Sequence, residues 1–476
     1  MPGTILLFVP GTKRPFGARH NFGGNTNTRS RGFVSVTAPQ VNGAEPATTE
    51  PSPERVGNTL GIAYAIVALA SSSTAVVIPT IRDEFDLPLA SGAWVITAFV
   101  VALAAFAPIY GRIADLVGPR TPITIGLSLM ATGAILSAFA PTPFTLILAR
   151  AVVGAGAGAM PVLGPVIIAG RLEEAEQPAA LTRMAGLAAT AASGLLIGAV
   201  IADFLGWRWV LALPVLVVGL IPAVRRLSFT GHGTLVGLDI AGALGVGLVA
   251  VGLNLALQLP TNATTGVVGL LLAASGVGAT IFGGRGGRAP FLPRTVLARL
   301  ATWKIAAAAG SIPAVFFSLL IAIPAILTEE ANATRIEIGV LFVPAAFAGV
   351  LVGPLAARLR ARLPIHHVAS LGLATATTAL LIAGLLAPQP IALAISFALV
   401  AAAFGFGQAA LLTMLTLATP EAERGAALAV FMVVFFLGGS VGGTLLTVLG
   451  TAMSLAPALV VIAVVPAAAA LSTLRS

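Results

Sequence analysis

Fourteen apolar stretches, separated by short polar breaks, constrain this chain more than any other feature. They run over residues 57–79, 92–110, 121–140, 143–168, 184–204, 208–224, 235–257, 264–282, 303–326, 337–357, 366–387, 390–415, 425–449 and 452–474, each roughly 17–26 residues long. An α-helix rises about 1.5 Å per residue, so about 20 apolar residues cross a hydrocarbon core about 30 Å thick. Inside that core a backbone must satisfy its own hydrogen bonds, and a helix does so within one segment. Only 9% of residues are charged, where a soluble domain carries about 25%. The fold class these runs predict is an all-α integral membrane protein.

The charges that remain set the topology. With the amino terminus on the cytoplasmic side, 22 of the 26 Lys and Arg residues fall on that side. Arg82, Arg208 and Arg335 fall on the other, and Arg150 stays within an apolar stretch. Such a bias is the positive-inside signal, and it predicts that both termini are cytoplasmic in a cell inner (plasma) membrane protein. The net charge of +9 therefore argues for membrane topology and against a nucleic-acid partner. The lipid bilayer is the expected surrounding.

Residues 1–56 are polar and rich in Pro, Gly, Thr and Asn, which reads as a disordered cytoplasmic arm. Within it, Val34 opens a segment, VSVTAPQ, that resembles an ordinary amino terminus, making residues 1–33 a candidate over-extension of the start. The expected organisation continues with a six-helix bundle over 57–224, two linker helices over 225–284 and a basic cytoplasmic linker over 285–302. A second six-helix bundle follows over 303–476. The portion from Val296 to Trp303 has the character of a segment lying along the inner membrane surface.

Several function classes fall away on composition. The chain has no Cys, which excludes disulfides, thiol catalysis and Cys-ligated metals. Its four His form no helix-spaced pair with a carboxylate, so a zinc site is not expected. Neither Lys13 nor Lys304 lies in a phosphate-binding GxxxxGK[ST] loop. No nucleophile–base constellation is present, so the chain is not expected to be an enzyme, and no cofactor is implied.

The residues left to carry function are few. Arg150, in LILARAVVGAGAGAMP, is the basic residue inside an apolar stretch; an Arg there costs about 2.5–3.5 kcal/mol on insertion scales and normally faces a cavity or a partner. Gly154 shares its helical face at i+4. Asp203 reads either as a salt-bridge partner of Arg208, five residues on, or as a proton carrier. Asn254, Gln258 and Gln408 read as interhelical hydrogen-bonding groups or as substrate contacts. The acidic clusters Asp83–Glu84–Asp86 and Glu173–Glu174–Glu176 read as solvated loop charges. The stretch YGRIADLVGPR, Tyr110 to Arg120, reads as a charged turn between antiparallel helices. In it Gly111 and Gly118 supply conformational freedom, and Asp115 and Arg120 supply charge.

These residues resemble a known family. YGRIADLVGPR resembles the loop signature of the major facilitator superfamily, and LARAVVGAGAGAMP resembles its fourth-helix signature. RAPFLPRTVLARLATWK resembles the linker of the fourteen-helix drug:proton antiporter branch (EmrB/QacA type). The resemblance implies two six-helix bundles of the major facilitator type plus two extra central helices, rocking about a central cavity. It also implies a gating loop of Gly111, Asp115, Gly118 and Arg120, with Asp115 engaging the start of a second-half helix near Gly425. Departures bear on coupling: the first-helix acidic residue of that branch is replaced by Ala70 or a neighbouring Ser, and Leu195 stands where a Pro is usual.

The leading expectation is a monomeric secondary active transporter that exports a small apolar or amphipathic compound, drug-like or metabolite, with coupling to protons left open. The pathway residues expected are Arg150, Gly154, Asp203, Asn254, Gln258 and Gln408. Two alternatives stand beside it: a transporter of a polar or anionic metabolite using Arg150, and a non-transporting membrane sensor or scaffold.

Overall fold

The computed structural model describes residues 52–189, 193–231, 239–283, 294–420 and 423–474. The amino-terminal arm up to residue 51, with the candidate extension 1–33, lies outside the described residues, and residues 53–56, read from sequence as the end of that arm, open helix α1 instead. Among these residues every regular element is helical. Eleven helices are long and apolar enough to cross a membrane, and two shorter apolar helices span Gly194–Leu205 and Ala241–Ala256.

A first group comprises α1 (Pro53–Ala75), α2 (Ile78–Phe85), α3 (Leu89–Val117), α4 (Arg120–Ala138), α5 (Pro143–Ala157) and α6 (Ala159–Arg171). It continues with α7 (Gln177–Ala189), α8 (Gly194–Leu205), α9 (Trp207–Ala212) and α10 (Ile221–Leu227), the last two joined by a 3₁₀ stretch. The hairpin α11 (Ile240–Ala256) and α12 (Ala263–Phe282) follows. A second group begins with α13 (Arg294–Leu297), α14 (Leu300–Ala331), α15 (Arg335–Leu341), α16 (Val343–Arg362) and α17 (Ile365–Leu386). It ends with α18 (Pro390–Ala403), a π turn at Phe404–Gln408, α19 (Ala409–Ala418), α20 (Arg424–Met453), α21 (Leu455–Ile462) and α22 (Val464–Leu474).

Local chemistry explains the ends of these helices. Ser52 caps α1 ahead of Pro53, so this helix starts four residues before the apolar run at 57. Thr142 and Thr145 form a reciprocal capping box for α5, and Thr334 and Glu337 do the same for α15. Asp239 caps α11 by accepting from the Gly242 amide at 2.8 Å.

The stretch Tyr110–Arg120 departs from the turn that its glycines suggest. Helix α3 continues through Gly111, Arg112 and Asp115 to Val117, and the break is confined to Gly118 and Pro119. Residues 112–117 are all compatible with a helix, and only Gly118 has the left-handed backbone, at φ +79. A Cβ at Gly118 would sit 2.3 Å from the Gly231 amide nitrogen, because the segment after α10 crosses there. That segment is stitched on by Arg120 N–H to the Phe229 carbonyl (3.2 Å) and Gly231 N–H to the Val117 carbonyl (2.9 Å). Arg171 adds donor bonds to the carbonyls of Leu227 (2.6 Å), Arg226 and Ser228. These contacts gather Arg112, Arg120, Arg171, Arg225 and Arg226 at one end of the first group, the arginine-rich face.

Candidate functional site: a buried arginine, an aromatic ladder and a closed face

Helix α5 carries Arg150 into the core of the first group, where it has no exposed surface. Its Nε donates to the Val95 carbonyl of α3 at 3.1 Å, and its Nη2 to the Ala70 carbonyl of α1 at 2.8 Å. The guanidinium stands 5.0 Å from the centre of the Phe99 ring. Charge-assisted bonds to two carbonyls and an aromatic face offset part of the cost of burying the cation. The remaining nitrogen, Nη1, is buried with no hydrogen-bond partner. The Ala70 carbonyl supplies a dipole and no counter-charge.

Gly154, one turn on, packs directly against α3. A Cβ there would sit 2.0 Å from the Phe99 carbonyl oxygen, so its role is close contact between α5 and α3. That contact is what brings Val95 and Phe99 within reach of Arg150.

The other residues singled out in the sequence do not converge on Arg150. Asn254 of α11 is fully buried, donating to Ser440 Oγ at 3.0 Å and accepting from Thr444 Oγ1 at 2.8 Å, both on α20. It therefore ties the hairpin to the second group. Gln258 sits in the turn between α11 and α12, its carbonyl accepting from the Asn262 amide at 2.8 Å. Gln408 ends the π turn that joins α18 to α19. Asp115 is exposed and faces Arg112 across 3.8 Å. The start of α20, where Asp115 is expected to engage, carries Glu423 in an ion pair with Arg299 at 2.8 Å.

Asp203 meets Arg335 of α15 at 2.6 Å, not Arg208. Gly206, with φ +94, turns the chain sharply between α8 and α9 and carries Arg208 away. Arg208 stacks over Trp207 at 4.2 Å and pairs with Glu84 at 2.8 Å. Glu84, read from sequence as a solvated loop charge, belongs to α2 and also accepts from Trp207 Nε1. Hydrogen bonds from Arg208 and Trp207 hold its carboxyl below the usual carboxylate range.

One pattern emerges from the ion pairs. Among the described residues, those joining the two groups are Arg335–Asp203 and Arg82–Glu329 (2.8 Å), with Arg335 Nε also donating to Thr80 Oγ1 at 3.1 Å. All lie at the face opposite the arginine-rich one. The pairs at the arginine-rich face, Arg183–Glu54, Arg112–Asp115 and Arg299–Glu423, stay within one group. Two ion pairs thus join the groups at this face, and the three pairs named at the arginine-rich face do not cross between them.

Between the faces the second group presents a ladder of phenylalanines that sequence reasoning missed. Phe342 meets Phe397 at 4.5 Å, Phe397 meets Phe316 at 5.2 Å, and Phe316 meets Phe317 at 5.2 Å and Phe404 at 5.3 Å. Phe404 then meets Phe435 at 5.9 Å. Phe316, Phe317 and Phe404 are only half-buried. In an apolar run each Phe looks like core, and the residues come from α14, the α15–α16 junction, α18, the π turn and α20, so no local spacing signals the cluster. Across the interface, a Cβ at Gly439 of α20 would lie 2.8 Å from Phe317 and 3.3 Å from Val100 of α3.

The Major Facilitator Superfamily profile matches residues 60–238 and 305–475. The chain belongs to this superfamily. It is 32% identical over 151 residues to a cephamycin export protein of Amycolatopsis lactamdurans, covering 31% of each chain. It is 30% identical over 191 residues to a puromycin resistance protein of Streptomyces alboniger, covering 38% of this chain and 37% of that one. These alignments span about a third of those relatives' length. A lincomycin resistance protein of Streptomyces lincolnensis is 26% identical, with 67% of each chain covered. Among solved structures, a bacterial homolog of the human lysosomal transporter Spinster, inward-facing and unoccupied, shares the fold. Its TM-score is 0.58 and its identity 16%, over 90% of this chain and 98% of that one. The chain is thus a multi-pass membrane protein of the superfamily, with relatives named for antibiotic export and resistance.

Proposed function

We propose that this chain is a secondary transporter that exports a small apolar or amphipathic compound by alternating access. The observation that carries this reading is the one-sided closure. The ion pairs Arg335–Asp203 and Arg82–Glu329 join the two helix groups at one face, as expected of one end state of a rocking pair. A half-buried phenylalanine ladder beside the interface suits a lipophilic cargo, since aromatic faces bind apolar groups without demanding a fixed hydrogen-bond pattern.

The fourteen-helix arrangement belongs to the same reading. Segments α7 with α8, α11, and α15 with α16 supply the passes beyond the eleven long apolar helices. With the arginine-rich face cytoplasmic in a plasma membrane, both termini are cytoplasmic and the closed face is external. In the opposite state Asp115 moves from Arg112 to the start of α20, which gives the gating stretch its role. The reading is tested with purified protein in proteoliposomes loaded with a lipophilic dye. Saturable efflux above the protein-free rate, altered by an imposed pH gradient if protons are coupled, is the expected result; a protein-free rate under all gradients sinks it.

A second reading, transport of an anionic metabolite, is favoured by one observation only: the unpartnered Nη1 of Arg150. Saturable uptake competed by small anions, and abolished in Arg150→Ala, would select it.

A further inference from the structure

Among the described residues, the acidic ones lie in connections or within the terminal turns of helices. Helix interiors therefore offer Arg150 no carboxylate. Among the described residues Arg150 and Asp239 are the buried charged side chains, and Asp239 caps α11 at its end. Among the described residues, the one charge buried away from a helix end is thus positive, and its partners are two carbonyl dipoles and a ring.

The position of that charge relative to the phenylalanine ladder follows from α3. Arg150 packs on Phe99, and the adjacent Val100 reaches Gly439, the same residue that Phe317 covers from α14. The guanidinium and Phe317 are therefore separated by about one helix diameter, roughly 10 Å. Across that distance, at an effective dielectric of about 20, a unit charge changes a binding constant on the order of tenfold. Salt screens such a buried field much less than a surface one.

We infer that Arg150 selects cargo by charge, favouring neutral and singly anionic amphiphiles at the ladder and rejecting lipophilic cations. This rests on the ladder being the cargo site of the proposed transporter, but not on transport itself. Arg150 acts through its field; it does not touch the cargo, because it is fully buried behind Phe99 and Val95.

The test uses three dyes built on one lipophilic scaffold, differing only in a neutral, monoanionic or monocationic substituent. Equilibrium binding to the purified full-length chain is read by dye fluorescence, and efflux of the same dyes is read separately in proteoliposomes. The wild type should bind the cation on the order of tenfold more weakly than the neutral dye, and the anion at least as well as the neutral one. Arg150→Lys should keep this order, and Arg150→Gln should bring the three within about threefold. Equal binding of cation and neutral dye by the wild type overturns the inference. So does binding of none of the three, or a folded Arg150→Gln protein that keeps the wild-type order. Should Arg150→Gln not fold, the wild-type charge series and Arg150→Lys still decide. Ranked binding without any efflux would refute the transport reading and leave the charge selection standing.

Discussion

Neutralising the two carboxylates that bridge the helix groups should open the closed face. Asp203→Asn and Glu329→Gln together remove the negative charges facing Arg335 and Arg82 while keeping side-chain size and an oxygen acceptor. Asp203 is 30% exposed and Glu329 54%, so both pairs are partly screened by solvent. Exposed pairs are worth about 0.2–1 kcal/mol each, so the double variant should lose about 1 kcal/mol of bias, moving the equilibrium about fivefold toward the open form. The native chain has no Cys, so spin labels can be placed at Asp83→Cys in α2 and Glu330→Cys in α14 without background. Both sites are exposed and lie beside the bridging pairs. Double electron–electron resonance should show a longer-distance population growing by about that factor, and 1 M salt should produce part of the same shift in the wild type. Arg208→Gln breaks a pair within one group and serves as control. If the distance distribution does not move, or moves equally in that control, the bridging pairs do not hold the face.

Other consequences follow from single sites. Gly118→Ala meets both a positive φ and the backbone of Gly231, and should cost about 1–3 kcal/mol, read as a lower melting temperature in detergent. Asn254→Ala removes two bonds to α20, each worth about 0.6–1.7 kcal/mol in a membrane protein. Protease nicking at the hairpin should rise, and unchanged protection would remove the tie. Glu84 has a depressed carboxyl, so its stabilising contribution is complete above the ordinary carboxylate pKa of about 4.3 and is lost as pH falls through its lower folded value. Thermal stability from pH 6 to pH 3 should therefore fall less steeply in Glu84→Gln than in the wild type, and parallel curves would contradict the pairing.

Much of the fold was legible in the sequence because hydrocarbon permits so few solutions. The apolar runs predict the long helices within a few residues, and the three isolated arginines Arg82, Arg208 and Arg335 do meet at one face. What escaped depends on partners distant in sequence. Asp203 sits five residues from Arg208, but a left-handed Gly206 separates them and Arg335, 132 residues away, takes the carboxylate. The charged stretch at Tyr110–Arg120 reads as a turn by composition, yet its residues 110–117 extend α3 beyond the apolar run. Phenylalanines scattered over α14, α18 and α20 carry no periodic signal of their meeting. Arg150 was visible as an anomaly, whereas its two carbonyl acceptors and its empty Nη1 required the packed helices.

Alternating access requires the closed face to open during transport. Arg82→Cys and Glu329→Cys, introduced into a chain with no other thiol, place a reducible bifunctional thiol reagent across the 2.8 Å pair. Efflux of the neutral dye from proteoliposomes should stop when the bridge is complete and return after reduction. Efflux that continues at the uncrosslinked rate with the bridge fully formed would contradict alternating access through this face.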